Sequence, residues 1–287
     1  MSRQPTPGRK AKTAEAAAAK PQESSGARSF VDELIFLCVI VMFFRMFVVE
    51  IYKIPSGSMT PTLLGGRVAQ IDVDQDGTKE LLFFDPSSVV GETQPLVYKW
   101  NGERYIFSQR LAPVPPEVLF SWNRDRLIYE QFDRILVSKI PYMFHPPRRG
   151  DIVVFKVPET IFKADASIYI KRAAGLPGEV ITFAPTGRLV IDGRIVEQPD
   201  FYKTQLYGSN IDPRSDSFRG QPEISYLPVG EELRLQRIVV PPGKIYVFGD
   251  NTHGSADSRY WGGVPIPNIK GQAFMRIWPI TQLKFLR

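Results

Sequence analysis

The chain has 287 residues, of which 43% are hydrophobic and 12% aromatic, with 25 prolines and a formal net charge of +6. That length allows one substantial domain with additions or two small ones, and the proline and aromatic content favours short strands over long helices. The lone cysteine, Cys38, excludes an internal disulfide, and no basic cluster is interleaved with aromatics as a nucleic-acid groove requires.

Residues 1–29 are rich in Ala, Lys, Pro and Ser and too poor in apolar surface to offset the entropy of ordering, so a disordered tail is expected. Much of the excess positive charge sits there: Arg3, Arg9, Lys10, Lys12, Lys20 and Arg28 oppose only Glu15 and Glu23. The run FVDELIFLCVIVMFFRMFVV follows, and a transmembrane helix is expected over 30–50, against the competing reading of a buried core helix. Its uninterrupted part, residues 34–44, is short of the roughly 20 residues that a span needs. Arg45 lies near the far end, where its stem can snorkel, while Asp32 and Glu33 sit at the near end. No small-residue cleavage site follows, so the segment reads as a retained anchor. The basic flank keeps the tail in the cytoplasm and puts everything from about Glu50 on the outer side.

Next comes KIPSGSMTPTLLGG (53–66), where Ser56 and Ser58 flank a glycine at the expected membrane edge. Further on, RILVSKI (134–140), DIVVFKV (151–157), SIYIKRAAG (167–175), EVITFA (179–184) and LVIDGRIV (189–196) read as strands, and so do IYVFGD and AFMRIWPI. Asp192-Gly193 supplies the positive φ of a two-residue hairpin turn. Strands do not alternate with helices, which predicts a mainly β domain, antiparallel or mixed. The polar stretch 198–232 reads as a long excursion, and no solenoid repeat is present.

A serine nucleophile needs a base. His145, in FHPPRRG, reads as a turn residue, whereas His253, in GDNTHGSADSR, leaves a Ser58-His253-Asp257 triad conceivable. The other base is a lysine neutralised by burial. Lys171 is placed at the end of an apolar strand, with Tyr169 on its own face and Ile168 and Ile170 on the other. An exposed strand-end lysine is the plain alternative.

The segments IPSGSMTPTL, DRILVSK, RGDIVVFK, YIKRAAGLPGE and VFGDNTHGSADSRYWGGVP, in this order, resemble the boxes of bacterial type I signal peptidases, over residues 30–66 and 132–278. The resemblance implies a membrane-anchored serine endopeptidase that removes signal peptides from exported preproteins at the bacterial cytoplasmic membrane. It implies Ser58 as nucleophile, Lys171 as general base, Ser56 as an oxyanion donor beside the Ser58 N–H, and Ser255 as the residue that orients the lysine. Arg172, Asp250, Asp257 and Arg259 become a supporting polar network. Ile54, Pro55, Met59, Leu63, Tyr169 and Ile170 become the lining of two shallow pockets behind an Ala-x-Ala preference, with the substrate extended along a strand edge. The sequence departs from the pattern at NTHGS, where His253 and Gly254 replace other polar residues while the spacing to Ser255 is kept. The expected partners are preproteins and the lipid bilayer, with no nucleic acid, and the expected state is a monomer needing no cofactor for catalysis. A tethered binding module without protease activity is the second reading.

In relatives the PTLL segment runs almost directly into ILV, so residues 67–132 are expected to be an insertion. Within it, DVDQDGTKELLFF places Asp72, Asp74 and Asp76 at alternate positions. An EF-hand is excluded because Phe83 stands where its twelfth-position Glu belongs. The stretch resembles one calcium-binding repeat of integrin-type propellers, which implies Ca2+ held by Asp72, Asp74, Asp76 and Glu80, against a solvated acidic turn.

Overall fold

The computed structural model describes residues 26–84, 95–112, 114–125, 127–157, 168–207, 237–252 and 254–286. Residues 1–25 of the expected tail, residues 208–232 of the 198–232 excursion and His253 lie outside these residues. Helix α1 (Gly26–Phe47) leads into strand β1 (Val49–Lys53). Then come β2 (Gly65–Ile71), β3 (Glu80–Phe84), β4 (Leu96–Trp100), β5 (Tyr105–Arg110), helix α2 (Pro116–Arg124) and β6 (Ile128–Phe132). The next strands are β7 (Arg134–Ser138), β8 (Ile152–Lys156), β9 (Ile168–Gly175), β10 (Val180–Phe183), β11 (Leu189–Ile191) and β12 (Arg194–Ile195). The described strands end with β13 (Ile238–Val239), β14 (Lys244–Phe248), β15 (Val264–Pro265), β16 (Ile269–Trp278) and β17 (Lys284–Phe285).

The chain divides into two units at Phe43/Phe44. The first holds α1 up to Phe43, with Asp32 and Glu33 before the apolar run, and the last residues of the helix, Arg45 among them, fall in the second. Among the described residues no helix is long and apolar enough to cross a membrane.

The second unit is built from three antiparallel sheets. Eight strands run β1-β7-β16-β8-β9-β14-β15, with β17 also on β16; five run β5-β4-β3-β2-β6; four run β12-β11-β10-β13. Every described pairing is antiparallel, which settles the choice between antiparallel and mixed. The β11–β12 hairpin turns at Asp192 (φ 50°) and Gly193 (φ 78°), as the Asp-Gly pair predicts.

Alternation along the strands fills two cores in the large sheet. One face gathers Ile135, Val137, Ile152, Val154 and Ala273 with Ile54, Met59 and Leu63; the other gathers Val153, Phe155, Ala173 and Val247. The described residues of 67–132 supply most of the five-stranded sheet and α2, and that sheet also buries both faces. Val68, Leu81, Phe83 and Tyr98 lie on one side, and Ala69, Leu82, Phe84 and Val97 on the other, where Trp122 of α2 packs.

Candidate active site

Ser58 sits in a short helical turn, Gly57–Met59, between β1 and β2. Three features fix that turn. Met59 is wholly buried and anchors it to the core, a burial that stabilises by about 1.5–3 kcal/mol. Asp133, also wholly buried, ties the ends of the segment together: its carbonyl accepts from Ile54 N at 2.8 Å and its Oδ2 from Leu64 N at 2.9 Å. Asn251 grips the middle, its Nδ2 donating to Gly57 O and its backbone N–H to Ser58 O, both at 3.1 Å. Gly249 fits beneath, since a Cβ there would lie 2.5 Å from Ser58 O. Ser56 precedes the turn in extended conformation, is exposed, and its Oγ donates to Ser58 Oγ at 3.4 Å.

Lys171 approaches from β9. The strand does not end there, as the sequence suggests; Lys171 is its fourth residue, paired with Val153 of β8, and is only 3% exposed. β8 and β14 flank β9 on both sides, which keeps it extended through Gly175 and removes the exposed alternative. Nζ donates to Ser58 Oγ at 2.7 Å and to Ile170 O at 3.0 Å, and lies over the Tyr169 ring at 5.4 Å, the expected shared face. Burial pulls the ammonium from its ordinary 10.5 down to about 8, against the opposing charges of Asp257 and Asp250 and with help from Arg259. Lys171 is therefore partly neutral near pH 8, with its nitrogen on the serine oxygen.

Two buried ion pairs brace this corner. Arg172 makes a bidentate contact with Asp250, at 2.9 and 2.7 Å, donates to Gly150 O and stacks on Phe201 at 3.9 Å. Arg259 does the same with Asp257, at 2.8 and 2.7 Å. Asp257 Oδ2 also accepts from Gly249 N, so both of its oxygens have partners among the described residues. This is the polar network expected at Arg172, Asp250, Asp257 and Arg259.

Other expectations fare differently. Ser255 is wholly buried near Gly249, but its Oγ has no hydrogen-bond partner among the described residues, so the expected bond to Lys171 is not made. Ile54, Met59 and Leu63 are core residues with 2% exposure or less, because they interdigitate with β7, β8 and β16; they do not line an open pocket. Pro55 is exposed, and Tyr169 and Ile170 are half-buried beside the serine and lysine. A separate cavity of about 1330 Å³, bordered by Trp100, Arg104, Tyr105, Tyr129 and Phe201, includes neither Ser58 nor Lys171. Oxygens of Asp72 and Asp74, in the loop before β3, and of Glu80, its first residue, converge within 4.8 Å. Asp76 does not join them; its carboxylate turns to Thr78. The Lys99 ammonium contacts Asp74 and lies 3.7 Å from Glu80. Asp133, Asn251 and Gly249 carry no signal of this role in the sequence beyond their place in the boxes.

The profile of the family described as signal peptidase, peptidase S26, matches residues 27–90 and 119–278, which include every residue of this corner. Among curated proteins, signal peptidase I of Leptolyngbya laminosa is 34% identical over 154 residues, covering 53% of this chain and 63% of that protein. Signal peptidase I of Bacillus caldolyticus is 35% identical over 54% of this chain and 75% of that protein. Signal peptidase I of Aquifex aeolicus is 25% identical over 86% and 83%. The match thus spans less than two thirds of the length of the Leptolyngbya relative. With a family profile matched over most of its length, the chain belongs to the signal peptidase, peptidase S26, family.

Proposed function

We propose that this chain is a membrane-anchored serine endopeptidase that removes signal peptides from exported preproteins after Ala-x-Ala-type sites. The carrying observation is the 2.7 Å contact between Ser58 Oγ and the buried Lys171 Nζ. Neutral Lys171 takes the Oγ proton as the oxygen attacks the scissile carbonyl. The oxyanion lies against the Ser58 N–H and the Ser56 hydroxyl, which leaves its long 3.4 Å contact with Ser58 Oγ to donate to it. The Lys171 ammonium then protonates the departing amine. The ester left on Ser58 is hydrolysed by a water that Lys171 deprotonates in turn. Ser255 supports this corner by packing, and the two arginine–aspartate pairs hold its frame.

The substrate lies extended beside Pro55, Tyr169 and Ile170, over a floor backed by Ile54, Met59 and Leu63, and a tightly filled floor admits small side chains only. The domain plan is a tail over 1–29, an anchor over 30–50 and an extracytoplasmic catalytic domain over 51–287, interrupted at 67–132; helix α1 moves the first boundary to Gly26 and strand β1 moves the second to Val49. The apolar residues of α1 point outward around the helix, Phe36, Val39, Val41 and Phe43 all being more than half exposed, which suits a lipid environment. Arg45 snorkels to one interface, and a single-pass monomer with its N-terminus in the cytoplasm follows. For the loop of Asp72, Asp74 and Glu80, calcium uptake is the reading that the repeat resemblance supports, in competition with Lys99, and catalysis does not need it. Both oxygens of Asp257 being committed speaks against a Ser58-His253-Asp257 triad, and the serine–lysine contact against an inactive binding module.

The test is incubation of detergent-solubilised protein with a preprotein bearing an Ala-x-Ala site, followed by N-terminal sequencing of the product. A single cut after the second alanine supports the reading. No cleavage of several such preproteins would leave the binding module as the better account.

A further inference from the structure

One side chain of the five-stranded sheet, that of Phe83, packs against the middle of the serine turn. Gly57, between the two serines, is buried, and a Cβ on it would lie 2.0 Å from Cζ and 2.2 Å from Cε1 of Phe83. The Phe83 ring therefore occupies the space that any larger residue at position 57 needs. Phe83 is held there by β3, between β2 and β4, in a core with Leu81, Leu96 and Tyr98, and is 1% exposed. The backbone it bears on is the one that Asn251 fastens at Gly57 O and Ser58 O. The turn is thus packed by an aromatic ring from residues 67–132 and hydrogen-bonded by the 249–257 loop.

We propose that Phe83 is a positioning residue for catalysis, and that the 67–132 sheet is a wall of the active site rather than an appendage. This rests on Ser58 being the nucleophile. The ring sets the depth at which the 56–58 backbone lies, and with it the aim of Ser58 Oγ at Lys171 and the direction of the Ser58 N–H. Displacement of reacting groups by about 1 Å costs on the order of 100-fold in rate. The requirement for glycine at 57 is steric and comes from this ring, which makes the pair testable by compensation.

The experiment compares steady-state cleavage and thermal melting for full-length Phe83→Ala, Gly57→Ala, the double variant and Val97→Ala in detergent. Phe83→Ala is expected to lose kcat by about 100-fold with KM little changed. Gly57→Ala is expected to be inactive, and the double variant to recover at least about 10-fold over it because the methyl enters the space the ring has left. Val97→Ala, which weakens the opposite face of the same sheet without touching the Phe83 ring, is expected to lower the melting temperature while keeping wild-type kcat. Phe83→Leu, expected to fall between wild type and Phe83→Ala in kcat, serves if Phe83→Ala does not fold. Wild-type kcat in Phe83→Ala or Phe83→Leu, a double variant no better than Gly57→Ala, or an equal kcat loss in Val97→Ala would overturn the proposal. Retained cleavage in Ser58→Ala would instead overturn the reading on which it rests.

Discussion

Lys171 Nζ donates to Ser58 Oγ at 2.7 Å although the two residues are 113 positions apart, and the lysine is 3% exposed. The contact and the burial act together. Burial weakens the charged form of the amine, and the contact places its nitrogen on the Ser58 hydroxyl, as the proposed serine–lysine chemistry requires. Expectations for activity and stability both follow from that pairing.

The first concerns pH. Since the Lys171 ammonium titrates at about 8, kcat/KM should rise with pH to a half-maximum near 8 and fall about tenfold per pH unit well below it. Asp250 holds the lysine's pKa up, so Asp250→Asn should move the acidic limb to lower pH. A profile flat from pH 6 to 9, or a limb that moves upward, would contradict the assignment of the base.

Stability carries the same signature with a definite sign. The folded pKa is below the ordinary 10.5, so the unfolded chain binds more protons between pH 8 and 10.5 and stability rises with pH across that window. At pH 7 the buried ammonium costs on the order of 3 kcal/mol. Lys171→Met should therefore raise the melting temperature at pH 7, with the advantage fading by pH 10.5. A variant that melts lower than wild type at pH 7, with an unchanged pH slope, would argue that the lysine is not held partly neutral.

The Arg172–Asp250 pair is buried on both sides, with side-chain exposures of 1% and 0%. Asp250→Ala leaves a buried guanidinium without its counter-ion and should destabilise by about 3–5 kcal/mol. Arg172→Met combined with Asp250→Leu should cost less than Asp250→Ala alone, because no unpaired charge remains. Denaturant unfolding of the variants decides this, and a double variant worse than the single would refute it.

Ser56 is exposed and bonds only weakly to its neighbour, so Ser56→Ala should leave melting unchanged. If it supplies an oxyanion donor, kcat should fall about 100- to 1,000-fold at nearly constant KM. Unchanged kcat would return the whole of that role to the backbone.

The strands of the large sheet were legible because their apolar alternation and turn residues are local features, and Asp192-Gly193 turns as its chemistry requires. Ser58 and Lys171 were legible through the motifs that hold them. What holds the serine turn was not. Asp133 and Asn251 act through backbone groups of residues 69 and 194 positions away, and Phe83 acts by filling the space beside a glycine. None of these contacts has a period or a spacing. The sequence places Lys171 at a strand end because it does not show that β8 and β14 enclose that strand. Ile54, Met59 and Leu63 could not be divided between pocket and core until their neighbours on β7, β8 and β16 were known.

The most direct measurement is cleavage of one Ala-x-Ala preprotein by wild type, Ser58→Ala, Lys171→Ala and His253→Ala at equal concentration in detergent. The serine–lysine account predicts that Ser58→Ala and Lys171→Ala each lose all measurable turnover while His253→Ala cleaves at the wild-type rate. Survival of Lys171→Ala together with loss in His253→Ala would contradict it.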